Sequence, residues 1–272
     1  MNLNGIEHVA LPRNRAELPE WSPGTAILAG GTWIFSEPQP SVTHLIDLTG
    51  FNWPPITVDN QGLHIAATCT IATLNRFAAP ADWLAADLIQ PSCEALLGSF
   101  KIWNAATVGG NICLALPAGP MTALCSALNG VGTIWQPNGT TRELPIIELV
   151  TGDHQTSLHP GEILRSILLP TAALHQRTAW RRMSLTPLGR SAALLIGTQD
   201  AKGSFTLTIT AATPRPIRFE FPEPPAAETL ANAIEAEITT TGLWFNDIHG
   251  APDWRRHIAL NFAEEIRQEL TA

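Results

Sequence analysis

Short apolar runs separated by glycine and proline fill the first fifty residues. These runs are GIEHVALP, AILAGG and VTHLIDLTG, and the last of them ends at Gly50. Segments of this length that are rich in valine, isoleucine and leucine are typical of buried strands. Because the runs follow one another closely, any helices between them must be brief. The sequence therefore predicts a small α/β unit over residues 1–50.

Residues 51–169 predict a second α/β unit. Its opening stretch, ITVDNQGLHIAATCTIATLNRF, contains two strand-like runs joined by an Asn-Gln-Gly turn, followed by a helix that starts at Thr70. Further along, Asn138 and Gly139 separate two more strand-like runs. An Asn-Gly pair in this setting is a strong signal for a β-hairpin. We expect both pairs of strands to be antiparallel.

The pattern of apolar and polar residues changes from about Pro170. The stretch up to Phe219 predicts consecutive antiparallel strands, with one turn at residues 200–203. Two later segments, PEPPAAETLANAIEAEI and DWRRHIALNFAEEIRQELTA, carry apolar residues at the three- and four-residue spacing of amphipathic helices. We therefore predict an α+β protein whose residues 170–272 form a C-terminal domain with an antiparallel sheet and terminal helices.

Composition excludes several classes of partner. The formal net charge is -8 and the chain has only two lysines, so no basic surface could neutralise nucleic acid or anionic lipid. The longest apolar runs fall far short of the roughly 20 residues that a membrane span needs. We expect a soluble cytoplasmic protein. The spacing of the four cysteines and eight histidines predicts no metal site, and the cysteines are expected to be buried free thiols.

Two glycine pairs, Gly30-Gly31 and Gly109-Gly110, are candidates for ligand contact. Glycine lets a ligand approach the backbone without meeting a Cβ atom, and successive N–H groups in such a turn can hold an anion. No GxGxxG or GxxxxGK[ST] motif is present, so neither a Rossmann site nor a P-loop is predicted. Two amide-rich loops would suit a ligand with a central diphosphate. Ordinary tight turns remain the alternative for each pair.

An ordered set of motifs resembles the FAD-binding medium subunit of molybdenum hydroxylases, the family of xanthine dehydrogenase and carbon monoxide dehydrogenase. The motifs are LAGGTWIF, HLIDLTG, LHIAATCTIATL, IWNAATVGGNIC and NDIHGAPDWRRH. The resemblance implies a PCMH-type fold, also seen in vanillyl-alcohol-oxidase-like flavoproteins. An FAD-binding domain of two α/β subdomains, residues 1–50 and 51–169, would be followed by the C-terminal domain at residues 170–272.

The resemblance also implies the FAD contacts. It places the diphosphate at the first glycine loop, at Leu28, Ala29, Gly30, Gly31 and Thr32, with Ile27 and Ile34 packing beneath. It places the diphosphate and ribityl side along the second loop, at Ala106, Thr107, Gly109, Gly110, Asn111 and Cys113. Leu164 would pack near the isoalloxazine or adenine ring. Arg181 takes a position where the family often has a lysine beside the flavin, although a surface salt bridge is an alternative for it.

Some positions depart from the family pattern. Many relatives have an aspartate that bonds the FAD where this chain has Pro120, and they have an arginine where it has Trp103. Losing one hydrogen-bond acceptor would weaken FAD binding by about 1–3 kcal/mol. Glu143, Glu148 and Glu162 are expected on a solvated surface, and no residue is expected to act as a catalytic acid, base or nucleophile.

By resemblance, the chain would be an electron-transfer subunit of an oxidoreductase. Iron-sulfur clusters of a small [2Fe-2S] subunit would supply electrons to its FAD, and an external acceptor would receive them. A large subunit would carry the molybdenum cofactor, with the whole assembled as a dimer of heterotrimers. Two alternatives remain open: a stand-alone flavin-dependent oxidoreductase of the same wider fold, and a structural subunit with weakened flavin binding.

Overall fold

The computed structural model describes residues 3–272, and the chain begins with a parallel sheet of three short strands. These are β1 (His8–Ala10), β2 (Thr25–Leu28) and β3 (His44–Asp47), in the spatial order β1-β3-β2. Because β3 is central, His8 and Thr25 both lie opposite His44. A single 3-10 turn, Arg15–Glu17, lies in the connection from β1 to β2. The three strands predicted in the first fifty residues are confirmed, but the expectation that all of them are buried is wrong for β1, where Val9 is 59% exposed.

The second sheet is antiparallel and has five strands. It contains β4 (Ile56–Val58), β5 (Gly62–Ala66), β6 (Val131–Trp135) and β7 (Thr141–Pro145), while β8 (Val150–Gly152) and β9 (Gln155–Thr156) form a separate pair. The strand β10 (Ile163–Pro170) completes the sheet at its centre, which gives the order β4-β5-β10-β6-β7. Both predicted hairpins, β4-β5 and β6-β7, are confirmed.

Seven short α-helices accompany the second sheet within the described part of the chain, together with 3-10 helices at Leu48–Phe51 and Leu84–Leu88. The α-helices are α1 (Ile71–Asn75), α2 (Ile89–Glu94), α3 (Phe100–Trp103), α4 (Val108–Leu114), α5 (Pro120–Ala127), α6 (Ile146–Leu149) and α7 (Thr171–Leu174). The predicted helix start at Thr70 is confirmed, because the Thr70 hydroxyl accepts a hydrogen bond from the Thr73 N–H at 3.1 Å.

The third sheet is antiparallel, and its strands follow sequence order. It contains β11 (Arg177–Met183), β12 (Ala193–Gln199), β13 (Phe205–Thr210) and β14 (Ile217–Phe221). The helices α8 (Ala227–Ile234) and α9 (Pro252–Thr271) follow, with a π-helical turn at Glu235–Thr239. This confirms the predicted sheet with terminal helices.

The third sheet is covered on both faces, which explains the continuous apolar run of β12. On one face, Leu194 and Ile196 join the core around α5, and on the other, Leu195 packs with α8 and α9. A Cβ atom at Gly197 would overlap Ile266 of α9, so glycine permits this close approach. The core around α5 also contains residues of the second sheet, so one core includes residues on both sides of the predicted boundary at residue 169. The division into domains at residues 50 and 169 stays a prediction.

Arg255 fixes the start of α9 to the third sheet. It is only 1% exposed, and its guanidinium donates to the carbonyl oxygens of Gly250 at 2.9 Å and Ala192 at 2.6 Å. It also donates to the Ala211 carbonyl and the Asp247 carboxylate.

Among residues 3–272, none of the helices combines the length and apolar character that crossing a membrane requires.

Candidate functional site

A cavity of about 960 Å³ lies where the first sheet, α4 and the β11–β12 connection meet. Its volume is at the upper end of the range of small-molecule sites, about 300–1,000 Å³. The structure brings into its lining all of the predicted FAD-contacting residues except Arg181: Ile27, Leu28, Ala29, Gly30, Gly31, Thr32, Ala106, Thr107, Gly109, Gly110, Asn111, Cys113 and Leu164. We call this space the main cavity.

The segment after β2 carries a row of free backbone N–H groups along the main cavity. Within residues 3–272, no acceptor is found for the N–H groups of the five consecutive residues from Gly30 to Ile34. All five residues line the cavity. The carbonyl of Gly31 accepts from the Phe35 N–H at 3.0 Å, so the segment curls into a helical turn. Free amides in such a turn form a concavity that favours an anion.

Steric requirements explain both glycines of the first pair. A Cβ atom at Gly30 would lie 2.7 Å from the carbonyl carbon of Ala105 and closer still to its oxygen. Gly31 has a φ of +69°, and a Cβ atom there would lie 2.5 Å from the Phe35 ring. Gly30 therefore allows the first loop to touch the chain before α4, and Gly31 supplies the left-handed conformation that turns it.

The second glycine pair has a different role. The Val108 and Gly109 N–H groups donate to the Cys69 and Ala67 carbonyls, each at 2.9 Å, and the Gly110 N–H donates to the Thr107 hydroxyl at 3.1 Å. The expectation of a second free row of amides is therefore wrong. A Cβ atom at Gly109 would lie 2.5 Å from that of Ala67, so this glycine serves the packing of α4 against the chain after β5.

Asn111 links the second loop to α5. Its Oδ1 accepts from the Met121 N–H at 3.0 Å, which caps α5 because the N-cap residue itself, Gly119, has no side chain. The donor is an N–H, so the atom that faces it must be the oxygen, and the Nδ2 group is left for the cavity that Asn111 lines. Pro120 also lines the cavity, at the first position of α5, where a missing N–H is tolerated.

Buried side chains from β10 and the residue before it form another wall. Leu164 and Ile163 are 3% and 5% exposed, and both line the main cavity.

Glu162 was expected on a solvated surface but is only 6% exposed. Glu143 and Glu148 are exposed as predicted. Arg142 on β7 explains the burial. Its Nε and Nη2 donate to the two oxygens of Glu162 at 2.8 and 2.7 Å, which lowers the pKa of this carboxyl to about 2.

Arg181 lies outside the lining of the main cavity. Arg181 instead forms salt bridges, which was the alternative predicted for it. Its Nε donates to Glu265 and its Nη2 to Glu269, both at 2.7 Å, and both glutamates lie on α9. Hydrogen bonding to Glu265 raises the pKa of Arg181 above its usual range. Successive side chains of a strand point to opposite faces, so Arg182 bonds elsewhere, to the Ser191 hydroxyl at 2.7 Å and to the Gly189 carbonyl.

The connection between β11 and β12 is the part of the site that sequence reasoning missed. Leu185, Thr186, Leu188, Gly189 and Arg190 line the main cavity, and Leu188 is 83% exposed. Within residues 3–272, Arg190 is the single lysine or arginine in this lining. The stretch SLTPLGRS carries turn residues but no motif, so only the fold could bring it to the site.

The cysteines follow the prediction with one exception. Cys69, Cys93 and Cys125 are buried free thiols, and burial raises the pKa of each to about 12. Cys113 is exposed where it lines the main cavity. Elsewhere, Glu7, His8 and His44 bring three potential metal ligands within 4.8 Å of one another, although exposed groups of this kind are common without an ion. None of these three residues lines the main cavity.

Comparison with known protein families and sequences gives consistent matches. Residues 9–172 match the family model described as the FAD binding domain in molybdopterin dehydrogenase. The chain is 25% identical over 228 residues to the caffeine dehydrogenase subunit beta of Pseudomonas sp. (strain CBB1), covering 79% of this chain and 74% of that protein. It is 32% identical over 136 residues to a xanthine dehydrogenase of Oryza sativa subsp. japonica, covering 48% of this chain. It spans only 10% of that relative's length.

Solved structures share the whole fold. Quinoline 2-oxidoreductase from Pseudomonas putida 86 matches with a TM-score of 0.79 and 20% identity, covering 99% of this chain and 98% of that chain. Carbon monoxide dehydrogenase from Hydrogenophaga pseudoflava matches with a TM-score of 0.81 and 20% identity, covering 98% of each chain. These matches confirm the predicted α+β fold class. Taken with the family match over residues 9–172, they show that the chain belongs to the family of FAD-binding domains of molybdopterin dehydrogenases, which are oxidoreductases.

Proposed function

We propose that this chain is the FAD-binding electron-transfer subunit of a multi-subunit molybdenum hydroxylase. The observation that carries the proposal is the row of five backbone N–H groups without an acceptor, from Gly30 to Ile34, along a cavity large enough for a dinucleotide. Bound FAD would supply reversible two-electron redox chemistry. The chain would collect electrons from iron-sulfur clusters of one partner and pass them to an external acceptor.

The residues of the main cavity fit FAD. Amides from Gly30 to Ile34 would hold the diphosphate through their dipoles, because the described lining offers no lysine and its one arginine, Arg190, lies in the β11–β12 connection. The Nδ2 of Asn111 would add a donor, since its Oδ1 is already engaged by α5. Apolar walls that include Ile163 and Leu164 would exclude water from a planar ring. All of these contacts bind and orient the cofactor, and none of them requires a proton to move.

The proposed partners are a large molybdenum-cofactor subunit and a small [2Fe-2S] subunit, assembled as a dimer of heterotrimers. Support comes from the name of one relative, the caffeine dehydrogenase subunit beta, which denotes one chain of a multi-subunit enzyme. Co-expression of this chain with candidate large and small subunits, followed by size-exclusion chromatography, tests the assembly. We expect one complex that contains all three chains, and separate elution of this chain would contradict it.

A structural subunit with weakened flavin binding is the second candidate, and Pro120 is the observation that favours it. Pro120 is buried in the wall of the main cavity, where many members of the resembling family carry an aspartate. This position offers the cofactor no side-chain acceptor, at a cost of about 1–3 kcal/mol. The visible absorbance of the purified chain separates the two candidates, because a chain that lacks flavin bands both alone and within its complex would serve structure only.

A matched pair of glycine variants tests the FAD contact. Gly31 and Gly139 both have positive φ, +69° and +86°, so alanine costs each about 1–2 kcal/mol of backbone strain. Only Gly31 lines the main cavity, and nothing lies within 4 Å of a Cβ atom at Gly139. We expect Gly31→Ala to lower the ratio of FAD to protein severalfold, and Gly139→Ala to leave it unchanged. Equal FAD content in both variants would contradict the proposed diphosphate site.

A further inference from the structure

A second cavity of about 320 Å³ adjoins the main cavity, and we call it the side cavity. Leu116, Ala118, Arg190 and His249 line both spaces. Across the same boundary, the ring of Trp33 in the main cavity lies 5.7 Å, between centroids, from the ring of His154 in the side cavity. A molecule in the side cavity would therefore lie directly beside one in the main cavity.

Two charged groups of the side cavity, Asp247 and Arg255, are already paired with each other. The Asp247 carboxylate accepts from the Arg255 guanidinium and, at 2.9 Å, from the His249 N–H. Arg255 is further held by the three backbone carbonyls that fix α9, so neither member of this pair is free to meet a ligand. An Asp153 oxygen lies 3.9 Å from the Nε2 of His154, so this carboxylate has a charged partner only when His154 is protonated. Among the arginines that line the side cavity, one is left without a partner in residues 3–272.

Arg190 is that arginine. Its guanidinium has no hydrogen-bond or ion-pair partner among the residues that the structure describes, 3–272, and the residue is half-buried at the boundary of the two cavities. A half-buried arginine without a partner favours an anion, because its planar donors match the oxygens of a carboxylate, sulfonate or phosphate. The remaining walls are largely apolar and include Pro117, Ala211 and Phe245. They suit a flat ring.

We propose that the side cavity binds a small planar organic anion through Arg190 and is the site where the external electron acceptor meets the FAD. The inference rests on the proposed function, since an acceptor is needed only by a chain that carries FAD. For an acceptor of the quinone class, the quinone takes up two electrons and two protons and becomes a hydroquinone. Bound FAD in its reduced form would supply the two electrons and two protons, and would be oxidised in turn.

Equilibrium binding tests the site without any reaction. The probe is naphthalene-2-sulfonate, a planar anion that reduced FAD cannot reduce, titrated into the FAD-loaded chain by isothermal calorimetry. We expect Arg190→Gln to weaken binding by about tenfold, since a charge-assisted contact is lost. Asp153→Asn should strengthen binding severalfold, because it removes a carboxylate from the same cavity. Arg181→Gln is the matched control, since Arg181 is engaged with α9 outside both cavities.

Unchanged affinity in Arg190→Gln, or an equal loss in Arg181→Gln, would overturn the proposed site. A second readout separates binding from an effect on the flavin: the rate at which the reduced FAD-loaded chain is reoxidised by 1,2-naphthoquinone-4-sulfonate and by neutral menadione. We expect Arg190→Gln to slow the sulfonated quinone only. Equal slowing of both would show that Arg190 acts on the flavin, and it would overturn the acceptor site.

The same experiments keep the two proposals distinguishable. A wild-type chain that never contains FAD would contradict the proposed function. The calorimetric titration could still be carried out on that FAD-free chain, so the side cavity would be tested independently. Sulfonate binding there that is weakened by Arg190→Gln and strengthened by Asp153→Asn, whose residue lines the side cavity and not the main cavity, would support the anion site. The absence of either effect would overturn it.

Discussion

Glu162 is a buried carboxylate that accepts hydrogen bonds from three residues. Arg142 donates two hydrogen bonds to it, the His159 N–H donates a third at 2.9 Å, and Gln136 donates a fourth at 3.2 Å. Since burial opposes ionisation, the low pKa of Glu162 comes from these donors, above all from Arg142. The network anchors the chain immediately before Ile163 and Leu164, and so it positions one wall of the main cavity.

The Glu162 network predicts a specific dependence of stability on pH. The folded-state pKa lies near 2, below the value of about 4.3 for an unfolded glutamate, so its stabilisation is present above pH 4.3 and is lost as the pH falls towards 2. We expect Glu162→Gln to lower the free energy of unfolding at pH 7 by about 1–2 kcal/mol, allowing for solvent screening. Urea unfolding at pH 7 and pH 3 measures this.

Glu143→Gln is the control for this prediction, because Glu143 is an exposed carboxylate on the same strand as Arg142. The difference in stability between wild type and Glu162→Gln should shrink from pH 7 to pH 3. A constant difference at both pH values would show that the ion pair contributes nothing to the pH dependence.

Single residues were the hardest part of the site to predict from the sequence. The burial of Glu162 depends on Arg142, 20 positions earlier, and the pairing of Arg181 depends on Glu265, 84 positions later. No local pattern says which of several arginines meets which carboxylate. The glycine pair at Gly30 could be recognised as a site because its conformational demands are local, whereas the packing of Gly109 against Ala67 depends on a contact that the fold creates.

At the scale of elements, helices and turns could be predicted where the residues that shape them are close together in the sequence. The Thr70 cap and the Asn138-Gly139 turn each lie within the segment they shape, so the sequence was sufficient to predict α1 and the β6-β7 hairpin. The start of α5 is different. Its N-cap residue, Gly119, cannot cap, and Asn111 on α4 does so from ten residues away. A helix whose N-terminus is capped by a side chain from another helix cannot be predicted from local sequence patterns.

Asn111 variants should separate the capping of α5 from ligand contact. Asn111→Asp keeps an oxygen for the Met121 N–H and loses the Nδ2 donor, whereas Asn111→Ala loses both. We expect Asn111→Ala to lower the free energy of unfolding by about 1 kcal/mol, as for loss of a helix cap. Asn111→Asp should unfold like the wild type and contain less FAD. Urea unfolding and FAD content check this pair, and equal destabilisation of both variants would contradict the capping role.

At the scale of the whole molecule, one core joins the second and third sheets. Leu194, Ile196 and Ala211 of the third sheet region belong to the same buried cluster as the residues around α5. Arg255 adds a polar connection, because its guanidinium reaches Ala192, Ala211 and the turn before α9. The main cavity depends on this arrangement, since the connection from β11 to β12 forms one of its sides.

Arg255 should therefore be essential for stability. Arg255→Met removes a donor from three buried carbonyl oxygens and leaves Asp247 without its cation, so we expect a loss of at least about 3 kcal/mol. Arg256→Met is the matched control on the next residue, where an exposed ion pair with Glu235 is lost and the change should be much smaller. Urea unfolding of both variants measures the difference, and similar losses would contradict the anchoring role of Arg255.

The order of motifs along the chain was enough to predict the family, the fold class and the third sheet with its helices. The arrangement of strands in space was not. Nothing in the runs around His8, Thr25 and His44 states that β3 lies between β1 and β2, because pairing order is decided by packing. The approach of residues 185–190 to the main cavity likewise follows from the position of the third sheet against α5.

The row of free amides from Gly30 to Ile34 has an electrostatic consequence. Neutral dipoles would hold the diphosphate without cancelling its charge, so loading the chain with FAD would add to a net charge that is already -8. Salt screens interactions between charges more than it weakens short hydrogen bonds to backbone amides. The cofactor should therefore stay bound as ionic strength rises, while the attraction of the loaded chain to any basic surface falls.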